Sequence, residues 1–326
     1  MKIYPNMNEF ELIQQFFADK SPRRDDVVLG VGDDAAILRV PDGMRVVATV
    51  DTLVEGVHFP AGLAAEDIGH RALAVNLSDL AAMGAEPAWA LLALTLPEAN
   101  EKWLTQFTQG LFALAERYRI ALVGGNIARG PLNVTITAHG LVPAGTALTR
   151  HGAKPGDHIY VTGELGAAAA GLRLIQNRID AKAGERLHTR FARPEPRIVA
   201  GLALRGLATA CIDISDGFFA DLVHVLQSSG MGGEVNVDAL PLAEEAVELL
   251  GRAEARQLAF AGGDDYELCF SLPPSRVAQL KQRLGKLDCP VTQVGVVTAG
   301  KTLQCLQTDG SKWVPDADTS GYQHFK

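Results

Sequence analysis

Eight aspartates in this sequence lie in five short motifs that are rich in glycine or apolar residues. They are Asp33 and Asp34 in GVGDDAA, Asp51 in ATVDT, Asp79 in NLSDLAAMG, Asp213 and Asp216 in CIDISDG, and Asp264 and Asp265 in GGDDYEL. A single exposed acid is usually solvated surface, but these motifs contain no lysine or arginine, and an unpaired buried carboxylate is very costly. A divalent cation is the simplest partner for such acids. Because no cysteine or histidine cluster has zinc spacing, the oxygen ligands predict Mg²⁺.

One pair of acids ends a glycine turn, VLGVGDDAAIL, at residues 28–38. Gly30, Val31 and Gly32 are typical of a loop that surrounds phosphate, yet two acids follow where positive charge is expected. The phosphate-binding pattern GxxxxGKS/T is absent from the sequence. We expect the glycines to let the backbone turn tightly, the acids to hold Mg²⁺, and the metal to hold phosphates.

Other motifs are less specific. TGELGAAAAG follows a predicted strand and opens a predicted helix, so its amides could hold an anion. It is not GxGxxG, and close packing of the helix on the strand explains its small residues equally well. The patterns GxSxG and HExxH are absent, and Ser215 in DISDG has no histidine nearby in sequence, so nothing indicates a hydrolytic triad.

The 326-residue chain has a net charge of −8, and 47% of its residues are apolar. No basic run is present to neutralise nucleic-acid phosphates, so we expect no nucleic-acid partner. The first residues lack the apolar core of a signal peptide, and the run AWALLALTL is far shorter than a membrane span, which predicts a cytoplasmic protein with no membrane partner. The four cysteines, Cys211, Cys269, Cys289 and Cys305, form no CxxC pair and are expected to be buried free thiols.

Helices and strands that position these acids intermix in both halves of the chain. In the first half, the pattern predicts a helix in NEFELIQQFFADK, with Asn8 and Glu11 as a capping box, and a strand RVVATVD that ends at Asp51. A helix EDIGHRALAVNLSDLAAMG, stopped by Gly84, follows. The remaining predicted elements are a strand at 88–96, a helix at about 100–119, and the strands IALVGG and LNVTITAHGLV. The second half predicts the strand HIYVTG, a Gly/Ala-rich helix, a strand in ATACIDIS, a helix from Phe218, the strand YELCFSL and two short late strands.

The segment AGTALTRHGAKPGD is rich in Gly, Ala and Pro and has no periodicity, which places a domain boundary near residue 146. The sequence therefore predicts a mixed α/β protein of two domains, residues 1–145 and 146–326.

The ordered set of motifs resembles the thiamine-monophosphate kinases over nearly the whole chain, from about residue 8 to GYQHF. The motifs are LGVGDDAAIL, DTLVEGVHF, RALAVNLSDLAAMGAEP, LVGGN, LTRHGAKPGD, YVTGELGAAAAGL, CIDISDGFFADL and GGDDYEL. The wider superfamily includes aminoimidazole ribonucleotide synthetase, selenophosphate synthetase and a hydrogenase-maturation protein. NLSDLAAMGAEP together with DTLVEGVHF and GGDDYEL favours the thiamine enzyme.

The resemblance implies an N-terminal sheet-and-helix domain that binds ATP and metal and forms a homodimer. It also implies a C-terminal α/β sandwich domain that completes the nucleotide and substrate site. The implied reaction is the Mg²⁺-dependent phosphorylation of thiamine monophosphate by ATP, giving thiamine diphosphate and ADP, with several Mg²⁺ ions bound.

The resemblance also implies roles for individual positions. Metal positions are Asp34, Thr49, Val50, Asp51, Asp79, Asn126, Asp213 and Asp216; ATP contacts are Gly125, Asn126, Arg150 and Ser215; substrate-side positions are His58, Asp264 and Tyr322. Three residues depart from the family pattern: Val50 stands where threonine is expected, Asn126 where aspartate is common, and Asp264 where glutamate is common. From the residues alone, His58 could simply pack beside Phe59, and Arg150 could be a linker surface charge.

The acceptor phosphate of the implied reaction is already ionised at neutral pH, so we expect direct in-line transfer with no nucleophile supplied by the protein. Three alternatives stay open at this point. The protein could be another ATP-dependent synthetase of the superfamily, a non-catalytic Mg²⁺–nucleotide-binding protein, or a multi-metal phosphohydrolase.

Overall fold

The computed structural model describes residues 8–18, 20–177, 184–287, 289–315 and 321. Contacts within the chain divide it into two units. The first unit comprises Met1–Leu80 and Glu86–Ala144, and the second comprises Ala81–Ala85 and Gly145–Lys326.

The first unit is built on a four-stranded sheet. Its elements are α1 (Glu9–Phe16), β1 (Val27–Leu29), β2 (Ile37–Leu38), β3 (Met44–Val54), α2 (Ala65–Ala82, whose last two residues belong to the second unit), β4 (Glu86–Leu96), α3 (Glu101–Tyr118), β5 (Ala121–Arg129) and β6 (Asn133–Pro143). The strand order is β3-β6-β4-β5. β6 pairs antiparallel with both β3 and β4, whereas β4 and β5 are parallel. β1 and β2 form a separate antiparallel ribbon.

Local signals account for the ends of the helices in this unit. The predicted capping box of α1 is confirmed, because Asn8 Oδ1 accepts the Glu11 N–H at 3.0 Å and Glu11 Oε2 accepts the Asn8 N–H at 2.9 Å. The Asn100 side chain caps α3 in the same way, 3.0 Å from the Trp103 nitrogen. The helix predicted to stop at Gly84 ends at Ala82, and Gly84 has φ +61°, a conformation typical of helix ends.

The prediction that the strand RVVATVD, which is β3 in the structure, ends at Asp51 is wrong. β3 continues for three residues, to Val54, in unbroken register with β6. The reason is the partner strand: Thr52 lies opposite Thr135, where the two hydroxyl oxygens are 2.9 Å apart, and Val54 lies opposite Asn133. Asp51 therefore projects from the middle of a strand onto one face of the sheet.

The second unit is built on a six-stranded sheet. Its elements are β7 (His158–Thr162), α4 (Ala167–Gln176), α5 (Glu185–Ala192), α6 (Ile198–Leu204), β8 (Ala210–Asp213), α7 (Phe218–Ser229), β9 (Gly232–Asn236), α8 (Glu244–Leu250), α9 (Arg252–Ala261), β10 (Leu268–Leu272), α10 (Val277–Leu284), β11 (Val291–Thr298) and β12 (Leu303–Leu306). The strand order is β12-β9-β11-β7-β10-β8. All of its pairings are antiparallel except that of β12 with β9. The predicted mixed α/β class is confirmed.

All four cysteines are free thiols, but only two of them are buried. Cys211 on β8 and Cys269 on β10 are 2% and 1% exposed, as predicted. Cys289 and Cys305 are half-buried, so the prediction of burial is wrong for them. Cys289 precedes β11 in a loop and Cys305 lies on β12, the edge strand of the sheet, where fewer atoms cover a side chain.

A search of the described residues for a helix with the length and hydropathy of a membrane span finds none.

Candidate functional site

The first group of predicted site residues lies where α2 contacts β3. Because side chains alternate along a strand, Thr49 and Asp51 project to one face of β3 and Val50 to the other. The hydroxyl of Thr49 donates a hydrogen bond to the carboxylate of Asp79 on α2. The Val50 side chain is 58% exposed on the opposite face, which leaves its backbone carbonyl as the group available to a metal on the carboxylate side.

Asp51 and Asp79 influence each other electrostatically. Burial, together with the negative charge of Asp79, raises the pKa of the Asp51 carboxyl to about 6. Two acids and a hydroxyl on one face of a sheet offer only hard oxygen donors, which is the donor chemistry that Mg²⁺ prefers. The pair therefore fits a divalent cation, whose charge would relieve both the burial and the repulsion.

A second group lines a cavity of about 320 Å³ in the first unit. Its lining combines glycines and polar residues, Gly32, Asp33, Asp34, Gly124, Gly125 and Asn126, with apolar residues, Phe10, Ile13, Phe17, Val31, Leu92, Leu122 and Ile127. The predicted glycine turn and the LVGGN motif thus meet in one cavity, although about 90 residues separate them in the sequence. Asp51 and Asp79 are not among the residues that line it.

At one point in the lining of this cavity, the backbones of two neighbouring strands approach each other closely. Gly125 on β5 lies beside Leu92 on β4, and a Cβ at Gly125 would lie 1.9 Å from the Leu92 carbonyl oxygen. Only glycine fits there. In the facing turn, Asp33 Oδ1 accepts the Asp34 N–H at 2.8 Å, which orders the two acids relative to each other. Asp33, Asp34 and Asn126 are exposed, so their oxygens are accessible to ligands.

His58 follows β3 in a tight turn, where its backbone N–H donates to the Val54 carbonyl at 2.9 Å. Its ring Nδ1 accepts the Val54 N–H at 2.9 Å, which fixes the orientation of the imidazole. The neighbouring Phe59, at 2% exposure, is the residue that packs in the core, whereas His58 is only half-buried. His58 thus has a hydrogen bond within its own turn, and its role on the substrate side stays a prediction.

In the second unit, the loop that follows β8 and the loop that precedes β10 bring three predicted site residues together. Beyond the last pair of β8 and β10, the Ile214 N–H donates to the Glu267 carbonyl and the Tyr266 N–H donates to the Ile214 carbonyl, both at 2.8 Å. The Asp264 N–H then donates to the Ser215 carbonyl at 2.9 Å. Ser215 and its neighbour Asp216 are thus held beside Asp264. The predicted metal ligand Asp213 ends β8 and is 3% exposed.

Asp221, in the first turn of α7, is not among the residues predicted from the sequence. Its Oδ2 accepts the Ser215 N–H at 3.0 Å and the Asp216 N–H at 3.1 Å. Burial, and next the charge of Asp216, raises its pKa to about 7, while the two amides and the charge of Arg150 oppose that rise. The signal that could have found it is an aspartate six residues after Ser215, in the first turn of the helix that the loop opens.

Asp264 and Tyr266 both have positive φ angles, +71° and +51°, in the left-handed region that few residues other than glycine adopt. The hydroxyl of Tyr266 donates to Asp264 Oδ1 at 3.1 Å. This contact orients the carboxylate at the position where the family commonly has glutamate. Strained backbone held by the surrounding contacts is typical of functional loops.

Asp265 belongs to the eight aspartates but has a structural role. Its Oδ2 accepts the Gly166 N–H at 2.7 Å, and its Oδ1 accepts the Ala168 N–H at 3.3 Å, at the start of α4. The Gly166 and Ala168 amides of TGELGAAAAG therefore bind a carboxylate of the protein itself and not an external anion. Burial raises the pKa of Asp265 to about 7, opposed first by the Gly166 amide.

Glu267 anchors the other end of the same loop. It is fully buried, and it accepts hydrogen bonds from Arg190 at 2.7 Å, from Arg197 Nε at 2.6 Å and from the Thr162 hydroxyl at 2.7 Å. Burial acts to raise the pKa of Glu267, but these donors hold it below its ordinary value. A carboxylate so fully bonded stabilises the loop and has no free oxygen for a ligand.

Three further points complete the placement of the predicted residues. Arg150 is exposed in the second unit, and its charge reaches Asp221. Tyr322 lies outside the described residues. Among the residues that the structure describes, no three or more His, Cys, Asp or Glu side chains are grouped closely enough to hold a metal ion.

Comparison with known proteins agrees with these motifs. Residues 32–142 match the family model for the N-terminal domain of AIR synthase related proteins, and residues 154–306 match the model for their C-terminal domain. The thiamine-monophosphate kinase of Escherichia coli K12 is 46% identical over 320 residues, which cover 97% of this chain and 98% of the relative.

Two solved structures are also similar. The crystal structure of thiamine-monophosphate kinase from Stenotrophomonas maltophilia K279a has a TM-score of 0.84 and 47% identity, covering 89% of this chain and 93% of that one. A structure of AaThiL complexed with AMPPCP and TMP has a TM-score of 0.76 and 30% identity, covering 99% of this chain and 100% of that one. The resemblance found in the sequence is therefore confirmed, and this chain belongs to the thiamine-monophosphate kinase family of AIR synthase related proteins.

Proposed function

We propose that this protein transfers the γ-phosphoryl group of ATP to thiamine monophosphate, giving thiamine diphosphate and ADP. The observation that carries the proposal is the cavity whose lining brings Asp33, Asp34, Gly125 and Asn126 together with apolar side chains. Apolar side chains suit a heterocyclic base, while glycine backbone and acids suit phosphates and their metal. The relative that is complexed with AMPPCP and TMP, 30% identical over nearly the whole chain, supports the same pair of substrates.

Several Mg²⁺ ions are part of this proposal. The residues that would hold them are Asp34, Thr49, Asp51, Asp79, Asn126, Asp213, Asp216 and the backbone carbonyl of Val50. Bound Mg²⁺ would neutralise the charge that two polyanionic substrates bring together. The protein's part is to keep these carboxylates ionised and correctly oriented, as the Thr49 hydroxyl does for Asp79.

The remaining residues bind and orient the two substrates. Gly125 permits close approach of the backbone, Ser215 contacts the nucleotide, and the exposed guanidinium of Arg150 binds its phosphates. His58, Asp264 and Tyr322 bind thiamine monophosphate. Because the acceptor oxygen is itself the nucleophile, no covalent enzyme intermediate is needed.

We also propose the division of labour between the two parts of the chain, with residues 1–145 binding ATP and metal and forming a homodimer, and residues 146–326 completing the nucleotide and substrate site. Two exposed apolar side chains on one sheet face of the first unit, on either side of Thr137, support the dimer. Val50, Thr137 and Leu91 are register neighbours on three adjacent strands, and Val50 and Leu91 are 58% and 37% exposed.

We place the protein in the cytoplasm, which its four free thiols support.

Product analysis tests the function directly. The protein is mixed with ATP, Mg²⁺ and thiamine monophosphate, and we expect thiamine diphosphate and ADP in equal amounts. Release of phosphate without an acceptor would identify a phosphohydrolase instead. ATP binding without turnover would identify a nucleotide-binding protein, and turnover only with a different acceptor would identify another synthetase of the superfamily.

A further inference from the structure

We propose that Asp221 is a positioning residue, whose carboxylate orients Ser215 and Asp216 by accepting their backbone N–H groups. The inference rests on the proposed function, because it takes Ser215 as a nucleotide contact and Asp216 as a metal ligand. Nothing in the sequence motifs or in the comparisons assigns a role to Asp221.

The local geometry makes the loop depend on this one side chain. A single oxygen of Asp221 accepts both amides, at 3.0 and 3.1 Å, so two successive peptide planes are tied to one point. The directions of the Ser215 and Asp216 side chains follow from those planes. Asp221 itself is 2% exposed and sits on α7, which is a rigid support for the loop.

The chain reversal that makes this contact possible occurs at Gly217. Its φ of +119° turns the loop into α7, and a Cβ at this position would lie 2.9 Å from the Ala261 carbonyl carbon. The reversal places the first turn of α7 behind the loop, which lets Asp221 reach back five and six residues. The backbone therefore brings Asp221 within reach of the two amides, and the two hydrogen bonds hold its carboxylate there.

The influence of Asp221 extends to the substrate side of the site. The Ser215 carbonyl, in the same stretch that Asp221 holds, accepts the Asp264 N–H at 2.9 Å. A loop that loses the Asp221 contacts would release Asp264 together with Ser215 and Asp216. Binding of nucleotide and of acceptor should consequently weaken together.

The alternative is that Asp221 acts through its charge, as a direct metal ligand. Two substitutions separate the cases, since Asp221→Asn keeps an acceptor oxygen but loses the charge, whereas Asp221→Ala loses both. A positioning role predicts that asparagine rescues function and that alanine does not. A ligand role predicts that both variants fail.

The experiment is calorimetric titration of the full chain with AMPPCP and Mg²⁺, which needs no turnover. We expect Asp221→Ala to weaken binding by about tenfold or more, since two hydrogen bonds to the loop are lost, and Asp221→Asn to bind within about threefold of the unaltered protein. Asp157→Ala is the matched control: Asp157 is 4% exposed and accepts the Lys154 N–H at 3.0 Å and the Thr209 hydroxyl at 2.7 Å, and neither donor is a predicted site residue. It should leave the affinity unchanged.

Unaltered affinity in Asp221→Ala, or equal loss in both Asp221 variants, would overturn the proposal. If the alanine variant does not fold, Asp221→Ser replaces it, because a serine hydroxyl is too short to reach the amides. Failure of the unaltered protein to bind AMPPCP would overturn the inference as well. Binding without formation of thiamine diphosphate would reject the proposed function alone and leave the titration result valid.

Discussion

The hydroxyl of Thr49 on β3 donates a hydrogen bond to the carboxylate of Asp79 on α2, which holds that carboxylate over the sheet face from which Asp51 projects. Burial and the charge of Asp79 raise the pKa of Asp51 to about 6. The metal-free protein therefore contains two acids that destabilise each other. A bound divalent cation would remove that cost, which couples metal binding to stability.

Asp51→Asn should stabilise the metal-free protein at pH 8 while it abolishes metal-dependent activity. The folded-state pKa lies above the ordinary 3.8, so the ionised form is penalised, and removing the charge is expected to add roughly 1 to 3 kcal/mol to the free energy of unfolding. Urea unfolding with and without Mg²⁺ measures this, and Mg²⁺ should stabilise the unaltered protein more than the variant, which lacks one of the proposed metal ligands.

Asp26→Asn is the control for that experiment. Asp26 accepts hydrogen bonds from Arg24 at 2.7 and 2.9 Å and from the Trp89 ring at 3.0 Å, and the Arg24 contact lowers its pKa. Neutralising this carboxylate should reduce stability. If Asp51→Asn lowered the free energy of unfolding by as much as Asp26→Asn does, the charges of Asp51 and Asp79 would not destabilise the metal-free protein.

Affinity for Mg²⁺ should fall as the pH falls through about 6. Asp51 must lose its proton to bind a cation, so below its pKa each pH unit should weaken apparent affinity by up to about tenfold. Protonation of Asp51 has the opposite effect on the stability of the metal-free protein. The free energy of unfolding should rise as the pH falls from about 6 towards 3.8, the ordinary pKa of an aspartate. Titration of Mg²⁺ with AMPPCP at pH 7.5, 6.5 and 5.5 checks the affinity, and an equal affinity at all three values would count against Asp51 as a ligand.

Asn126→Asp should be tolerated and should tighten Mg²⁺ binding by a few-fold. The residue shares its cavity with Asp33 and Asp34, and the substitution restores a carboxylate common in the family. The Mg²⁺ dependence of ATP binding is the measurement. Asn133→Asp, which adds the same charge on β6 outside the cavity lining, should have no effect, whereas complete loss of ATP binding in Asn126→Asp would show that the amide donates a hydrogen bond.

Tyr266→Phe should raise the KM for thiamine monophosphate by about 3- to 10-fold and leave the KM for ATP unchanged. The substitution removes the hydroxyl that donates to Asp264 Oδ1 but keeps the ring that fills the loop. Tyr160→Phe is the matched control, because Tyr160 is 6% exposed and, within the described part of the chain, its hydroxyl makes long contacts, of 3.4 Å, with His158 and Gln293. Equal changes in both KM values would reject a role specific to the acceptor.

Transfer should invert the configuration at phosphorus. A single in-line displacement inverts the transferred group, whereas two displacements through a protein nucleophile retain it. ATP made chiral at the γ-phosphorus with oxygen isotopes and sulfur provides the test, and intersecting initial-rate lines for the two substrates should accompany inversion. Retention, or a labelled protein after incubation with γ-labelled ATP alone, would require a nucleophile among the aspartates.

Features that depend on neighbouring residues could be read from the sequence. The capping box of Asn8 and Glu11, the stop of α2 near Gly84 and the glycine turn before Asp33 are local, because their donors, acceptors and backbone angles lie within a few residues of one another. The mixed α/β class followed from the same local periodicities. The family followed from the order of the motifs along the chain.

Contacts between distant residues were decided only by the tertiary structure. Asp264 and Asp265 are identical neighbours in the sequence, yet the first lies beside Ser215 and the second caps α4 through the Gly166 amide, 99 residues away. β3 extends beyond its predicted end because a strand continues for as long as its partner strand supplies hydrogen bonds. Which carboxylates are available to a metal thus depends on which amides and cations the fold brings to them, and residue type does not carry that information.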